Sequence, residues 1–404
     1  MKKILLFTSI IIIGLVCLLN LNHKEDKNVI KYCSWGSQSE VKILKEIIND
    51  FEKETNSKVD FIHIPQNYFQ KLHLLFASNA DLDVIFLNNQ YAKTYIKANL
   101  LMDLTPYINK IDYYNVATKA FEHENKIYAF PRDISNLVLF VNKDILKKQN
   151  VKYKEKINSL KELKEYASKL TFEDTFGINS EENSLFWLYY LASNGGGAIS
   201  DNAKNVIINN KSSLEAINFY SDLINKDNIA PTKAQIGSMT TAQMFINGKL
   251  SMYLGGRWLI PKFRETINFD WDIIEFPSSI ENKVYVDASG WSISAKSKNK
   301  EQAIELIKYL SSKKAIDKFI ESGLITPARI DSTETLFKLD KNKKPQHSQI
   351  FVTMLNCAKP TPVNENYNKI NDILNEEIKK VLSGEKNAEE TFNNRIIRKI
   401  ESLL

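Results

Sequence analysis

The chain has 404 residues, 54 of them Lys or Arg and 48 Asp or Glu, for a formal net charge of +6. Apolar residues make up 43% and charged residues 25%, a globular composition that excludes a disordered chain, a collagen and a polytopic membrane protein. The length allows two or three domains, each with its own core, and the charge surplus is too small over that length to argue for nucleic acid.

Met1, Lys2 and Lys3 precede an apolar stretch, residues 4–19, broken by Thr8, Ser9 and Gly14. A basic start and a run of this length have the pattern of a secretory signal. A membrane span takes roughly 18 or more apolar residues, so extension to Leu21 makes an uncleaved anchor the alternative. Cys17 resembles the lipidated cysteine of bacterial lipoproteins, although Val16 and Gly14 stand where such signals carry a small residue and Leu. Residues 1–21 are therefore read as a signal peptide or anchor, and the polar residues 22–28 as a tether. Each version places the body outside the cytoplasmic membrane. Cys33 and Cys357 make neither a disulfide framework nor a metal site; one bridge and two separate thiols both remain open.

Residues 29–33 predict a short strand. Ser37 and Glu40 have capping-box spacing, and Val41, Leu44, Ile47, Ile48 and Phe51 follow on one helical face. Residues 58–64 predict a second strand, and Phe69, Leu72, Leu75 and Phe76 a second helix. Residues 83–87 form a continuous apolar run of the kind buried on both faces. This alternation predicts a parallel sheet with right-handed crossovers. The pattern restarts near Ser159. Ser159 and Glu162, then Ser212 and Glu215, again have capping-box spacing, with stripes Leu160, Leu163, Leu170 and Leu214, Ile217, Leu223. Residues 175–178 and 250–254 are candidate strands. Ala303, Ile304, Ile307 and Leu310 mark a late helix, and a last one opens at Asn387 with Phe392, Ile396, Ile400 and Leu403. Two α/β units without a long linker suggest two lobes sharing several crossings. Ligands in such folds sit in the crevice at the carboxyl ends of strands or between lobes.

Several segments, in this order, carry a resemblance. They are Trp35, Phe51-Glu52-Lys53-Glu54-Thr55 with Val59, Asp83-Val84, and Leu101-Met102-Asp103-Leu104-Thr105-Pro106-Tyr107-Ile108. Lys126-Ile127-Tyr128-Ala129-Phe130-Pro131 and Val141-Asn142-Lys143-Asp144 continue it. Phe245-Ile246-Asn247-Gly248-Lys249, Met252 and Gly256-Arg257-Trp258 follow, then residues 297–303 and Pro327-Ala328. Together they resemble the extracellular solute-binding proteins of ABC importers, in the subgroup that includes maltose-binding protein. The resemblance spans nearly all of residues 29–404. It implies an α/β, two-lobed periplasmic-binding-protein type II fold with a hinge and an interlobe cleft. The N-terminal lobe would be residues 29–134 plus 287–330, and the C-terminal lobe 135–286 plus 331–404. Crossings are expected near residues 133–136, 286–290 and 329–333. The implied mechanism is binding without chemistry: a solute that contacts both lobes shifts the population toward a closed form, which the importer's permease subunits would recognise. The implied protein is a monomer without cofactor or metal, held at the extracellular face of the membrane by Cys17 or the anchor.

The resemblance further implies a carbohydrate, mono- or oligosaccharide. A sugar offers C–H faces to aromatic rings and hydroxyls to fixed polar groups. Trp258 stands where the family commonly presents a stacking tryptophan; otherwise it is a core residue beside a glycine turn. Trp35 ends the first strand at the crevice side, or packs within its lobe. Trp291 lies beside a proposed crossing. Trp187 has apolar neighbours and competes with a core role, and Trp271 is read as strand packing. Tyr367 follows Pro360-Thr361-Pro362, where the maltose-binding relative has an aromatic contact. Asp83 matches the family's Pro-Asp-Val with Leu82 in place of proline, or satisfies nearby backbone donors. Asn88 and Asn89, with Gln90, end their strand at the crevice. Arg132 and Ser135 flank the first crossing; Arg132 can fork onto hydroxyls or a carboxylate, or pair across the lobes. Tyr68 fits a cleft aromatic or a helix edge. Gly195-Gly196-Gly197 lacks the Lys-Ser or Lys-Thr of a phosphate loop. The five histidines make no HExxH, no GxSxG elbow occurs, and no carboxylate pair stands out as a glycosidase's. A membrane-tethered sensor, a binder of an anionic or polyamine solute, and a secreted glycosidase remain the alternatives.

Overall fold

The computed structural model describes residues 29–278 and 284–404. The signal, anchor and tether, with Cys17, lie outside the described residues. Among those described, no helix is long and apolar enough to cross a membrane.

Strands β1 (Val29–Ser34), β2 (Lys58–His63) and β3 (Val84–Asn88) alternate with helices α1 (Gln38–Thr55), α2 (Tyr68–Ala77) and α3 (Asn89–Lys97). After the short β4 (Glu122–His123) and β5 (Lys126–Ile127), β6 (Phe130–Ser135) and β7 (Leu137–Asn142) are separated by Asn136 alone. Helices α4 (Leu160–Lys169), α5 (Ser184–Ser193) and α6 (Lys211–Asn225) follow, then β8 (Met252–Gly256), β9 (Trp271–Ile274) and β10 (Val284–Ile293). Helices α7 (Lys300–Leu310) and α8 (Lys313–Glu321), strands β11 (Thr326–Pro327) and β12 (Ala358–Pro360), and helix α9 (Tyr367–Leu382) complete the framework.

The larger sheet runs β11-β6-β10-β3-β1-β2, with β12 also paired to β10. As the alternation predicts, β1 is parallel to β2 and to β3. The run at β3 is buried on both faces: Val84 and Phe86 join the core beneath α1, α7 and α8, while Ile85 and Leu87 join a second core beneath α2 and α3. Successive strand side chains point to opposite faces, which is why all four are apolar. The smaller sheet is antiparallel, ordered β8-β7-β9, and every residue of β7 is buried. The chain leaves the larger sheet after β6 and enters the smaller one at β7. These two sheets, each with its own helices, make the two-lobed α/β fold, and β4 pairs with β5 in a separate two-stranded sheet.

Strand β10 runs antiparallel between β3 and β6, with a register shift between Ser289 and Gly290. A Cβ on Gly290 would lie 2.4 Å from the Phe130 carbonyl oxygen, so only glycine lets β6 come this close.

Local expectations met varied outcomes. Ser37 and Ser159 cap their helices, accepting from the backbone N–H of Glu40 and Glu162. Glu40 does not reach back to complete a capping box; its carboxylate binds Arg132 instead. Ser212 is not a cap, because α6 starts earlier: the Asn210 side chain accepts from Ser213 N–H at 2.7 Å. The strand expected at residues 175–178 is reduced to isolated bridges, Phe172 to Thr175 and Phe176 to Leu250, and Gly177 N–H goes to the Ile229 carbonyl. The last expected helix is two pieces, Ala388–Thr391 and Asn394–Glu401, the second capped afresh by Asn393. Cys33 and Cys357 are separate free thiols.

Candidate solute-binding cleft

A cavity of about 180 Å³ opens between the two sheets. Trp35, just after β1, forms one wall. Its indole is held by three aromatic neighbours: Phe86 with ring centroids at 4.5 Å, Tyr68 at 4.9 Å and Phe69 at 5.3 Å. The Tyr68 hydroxyl contacts the carbonyls of Cys33 and Phe86, the latter at 2.7 Å, so this ring buttresses Trp35.

Trp258 stands on the other wall, after β8. A Cβ on Gly256 would collide with its six-membered ring, 1.8 Å from Cζ3. The missing side chain lets the indole fold onto the backbone, and Trp258 remains 37% exposed. A tryptophan packed on a glycine on one side and open on the other is an aromatic platform.

Charged groups line the space between them, each already matched. The buried Arg132 donates from Nε to Asp133 Oδ2 at 2.6 Å and from Nη1 to Glu40 Oε1, with its guanidinium 4.3 Å over the Phe86 ring. Burial works against the Arg132 charge, but the two carboxylates outweigh it and raise its pKa. Burial also pushes the Asp133 carboxyl up, although Arg132 opposes the shift. From the smaller sheet's side, Arg257 donates to Asp340 at 2.5 Å, and Arg264 to the other Asp340 oxygen at 2.6 Å. Burial disfavours the Asp340 anion, but Arg257 and Arg264 hold its pKa below the ordinary carboxylate value. Of these groups, Glu40, Asp133, Arg132 and Arg257 line the cavity itself, two carboxylates with two guanidiniums.

Of the residues singled out from sequence, the structure brings Trp35, Arg132, Ser135 and Trp258 together around the cavity. The others are placed differently. Asp83 accepts from Lys31 N–H at 2.9 Å, Ser297 Oγ at 2.6 Å and Asn299 Nδ2 at 3.2 Å, which is its backbone-satisfying alternative. Asn88 caps α3 through Tyr91 N–H, and Asn89 accepts from Ala288 N–H at 3.0 Å. Trp187 is buried, its Nε1–H on Asn375 at 3.0 Å, and Trp291 is wholly buried, its Nε1–H on the Tyr32 hydroxyl at 2.8 Å. Tyr367 is buried in a small cluster with Ile199, Ala203 and Val363. None of these three offers a ring face to the cavity. Trp271 packs in the core as expected.

Residues not foreseen line the same space: Glu40, Asp133, Arg257, Ser289 and Thr326. The available signal was adjacency, since Asp133 and Ser289 lie in the expected crossings and Arg257 precedes Trp258. Thr326 is placed by pairing with Ile134 across β11 and β6, which no sequence spacing reveals. A larger cavity, about 730 Å³, lies elsewhere, bordered by Glu181, Asn225, Thr241 and Lys379, with no aromatic side chain in its lining. Among the described residues, no three His, Cys, Asp or Glu side chains converge as a metal site.

Two α/β lobes around a cleft with an aromatic platform and fixed polar groups define a protein that holds a solute. The chain belongs to the bacterial extracellular solute-binding proteins, whose family model matches residues 46–345. It is similar to the galactooligosaccharide-binding protein of Bacillus subtilis (strain 168), 23% identical over 294 residues, which are 69% of this chain and 68% of the relative. The maltodextrin-binding protein MdxE of the same organism is 26% identical over 258 residues, 59% of this chain and 58% of MdxE. Among solved structures, the ABC substrate-binding protein Lmo0181 from Listeria monocytogenes, in complex with cycloalternan, superposes with a TM-score of 0.85 at 26% identity, covering 93% of this chain and 98% of that one. Maltose-bound MalE3 of T. maritima gives 0.80 at 21% identity over 93% and 100%, a likeness of fold.

Proposed function

We propose that this chain is the substrate-binding component of an ABC importer and captures a neutral saccharide by closing two lobes around it, leaving it chemically unchanged. The observation that carries this reading is the pair of tryptophans, Trp35 and Trp258, on opposite walls of one charge-balanced cavity. Aromatic faces suit the C–H faces of a sugar ring. Arg132, which already meets two carboxylates, needs no further counter-charge, and a polyamine finds no surplus of carboxylates. Relatives named for galactooligosaccharide and maltodextrin binding support a carbohydrate.

The lobes are taken as residues 29–134 plus 287–330 and residues 135–286 plus 331–404, with Trp35 and Trp258 on opposite members. A solute touching both rings is held fully only when the lobes close, so it shifts the population toward that state. The closed form then docks on the permease subunits at the outer face of the membrane, with Cys17 or the uncleaved anchor as tether.

A thermal-shift screen over neutral saccharides, uronic acids, polyamines and phosphate esters tests the reading. A ligand at about one hundred times its Kd adds about 2.7 kcal/mol of stability. Neutral saccharides are expected to raise the melting temperature. A shift with polyamines or phosphate esters alone would overturn the carbohydrate assignment.

A further inference from the structure

Lysines gather where β1 begins. Lys58 stands beside Val29 in the β1–β2 register. The segment 294–299, which joins β10 to α7, crosses the same strand ends: Asn299 Nδ2 donates to the Val29 carbonyl at 3.4 Å and to Asp83 Oδ2 at 3.2 Å. Lys296 Nζ reaches Asn79 Oδ1 at 2.5 Å, in the loop that leads from α2 to β3. Lys296, Lys298 and Lys300 alternate along this stretch, and all three are exposed. Lys31 and Lys58 have carboxylate partners close by, Asp81 at 3.1 Å and Glu52 at 3.4 Å. Asp83 is buried and accepts from Ser297 and Asn299, and Glu301 is exposed beside Lys300. This end of the larger sheet therefore presents a surplus of ammonium groups to its surroundings.

The surplus lies at the amino ends of β1 and β3, whereas Trp35 and the cavity follow the carboxyl end of β1. A six-residue strand spans about 20 Å, so lysines and cleft occupy opposite ends of one sheet. Val29 is also where the tether, residues 22–28, joins the fold. Those residues reach at most about 25 Å. A tether converts a second contact into an intramolecular one at high effective concentration. A modest positive face held this close to a bilayer is drawn to anionic headgroups, and the attraction fades within a Debye length.

Resting on the tethered reading given under the proposed function, we infer that the lysine-bearing end of the larger sheet lies on anionic phospholipid headgroups. The ammonium groups of Lys296, Lys298 and Lys300 meet phosphate oxygens. With that end down, the cleft opens away from the bilayer, toward the side from which a solute arrives. All of these residues belong to the N-terminal lobe as divided above, so the other lobe stays free to close.

The test uses the full chain, reconstituted through its N-terminal segment into vesicles of phosphatidylcholine alone or of phosphatidylcholine and phosphatidylglycerol in equal parts. Amine-reactive labelling with mass spectrometry reads each lysine. On the mixed vesicles at low salt, Lys58, Lys296, Lys298 and Lys300 should label at least about threefold more slowly than on phosphatidylcholine. Lys211 and Lys226, on the other lobe and 89% and 73% exposed, should label equally on both. The slowing should vanish in about 1 M salt, where the Debye length is about 3 Å. Replacing Lys296, Lys298 and Lys300 together by Glu should abolish it at Lys58. Were that variant not to fold, the lipid and salt comparisons on wild type decide alone. Equal labelling on the two vesicles overturns the inference and leaves the tether standing. Slow labelling on both compositions assigns the contact to the tether and overturns the part given to charge. Slowing at Lys211 and Lys226 as well overturns the orientation. A chain that floats with neither vesicle overturns the tethered reading and this inference with it. Saccharide binding is read separately, by thermal shift, and stands or falls apart from all of these outcomes.

Discussion

Asp340 holds two guanidiniums at once, Arg257 at 2.5 Å and Arg264 at 2.6 Å, while itself only 2% exposed. Replacing it with Asn leaves two cations facing a neutral amide. Breaking a buried pair this way costs about 3–5 kcal/mol, so urea unfolding at pH 7 should show Asp340→Asn destabilised on that scale. The pH dependence follows from the lowered pKa of this carboxyl. A folded-state pKa below the unfolded one gives stability that is full above the unfolded value, near pH 3.9. It is lost as pH falls through the folded value. The gap between wild type and Asp340→Asn should therefore narrow as the pH drops below about 4; a constant gap would mean the carboxylate charge is not what stabilises the site. The site was partly readable from sequence at this scale. Trp35 and Trp258 sit at strand ends, and a glycine beside Trp258 is visible in the sequence. Arg132 was visible too, but its partner Glu40 lies 92 residues away, and no local pattern tells a paired arginine from a free one.

Strand β10 shows why elements were easier to foresee than the directions of their side chains. The place of Trp291 after Ser289-Gly290, beside a proposed crossing, suggested a cleft residue. The register shift between Ser289 and Gly290 changes which residues share a face. Ser289 lines the cavity, while Trp291 turns into the core against Phe86 and Tyr32. Side-chain facing flips with a single residue of register, and the shift is set by β6, a partner strand about 155 residues earlier in the numbering. The parallel β1–β2–β3 unit needed no such partner information, because its apolar runs and helical stripes are local. Helix starts show the same contrast. The spacing of Ser212 and Glu215 fits a cap as well as Asn210 does, and tertiary packing selects Asn210. Asn210→Ala should lower stability by about 1 kcal/mol, read from the urea midpoint, while Ser212→Ala should leave it within about 0.5 kcal/mol. The reverse order would put the start of α6 where the sequence pattern alone suggested it.

The balance of charge within the cleft, against a chain carrying +6 overall, decides how the whole molecule responds to salt. A positively charged protein attracts an anionic solute over distances comparable to the Debye length, about 10 Å at 0.1 M, and added salt weakens that attraction. A neutral saccharide feels no such pull. The charged groups near it, Arg132 with Glu40 and Asp133, and Arg257 with Asp340, are each in contact and buried, where salt screens little. On the proposed function, the energy that closes the lobes comes from ring stacking on Trp35 and Trp258 and from short hydrogen bonds, none of which depends on ionic strength. The Kd for the preferred saccharide should therefore change less than about twofold between 0.05 and 0.5 M salt, under 0.4 kcal/mol by the tenfold-per-1.4 kcal/mol relation. Calorimetry at both salt concentrations checks this. A tenfold loss of affinity at high salt would mean that the lobes close on a charged solute, and that one of the paired arginines releases its carboxylate to meet it.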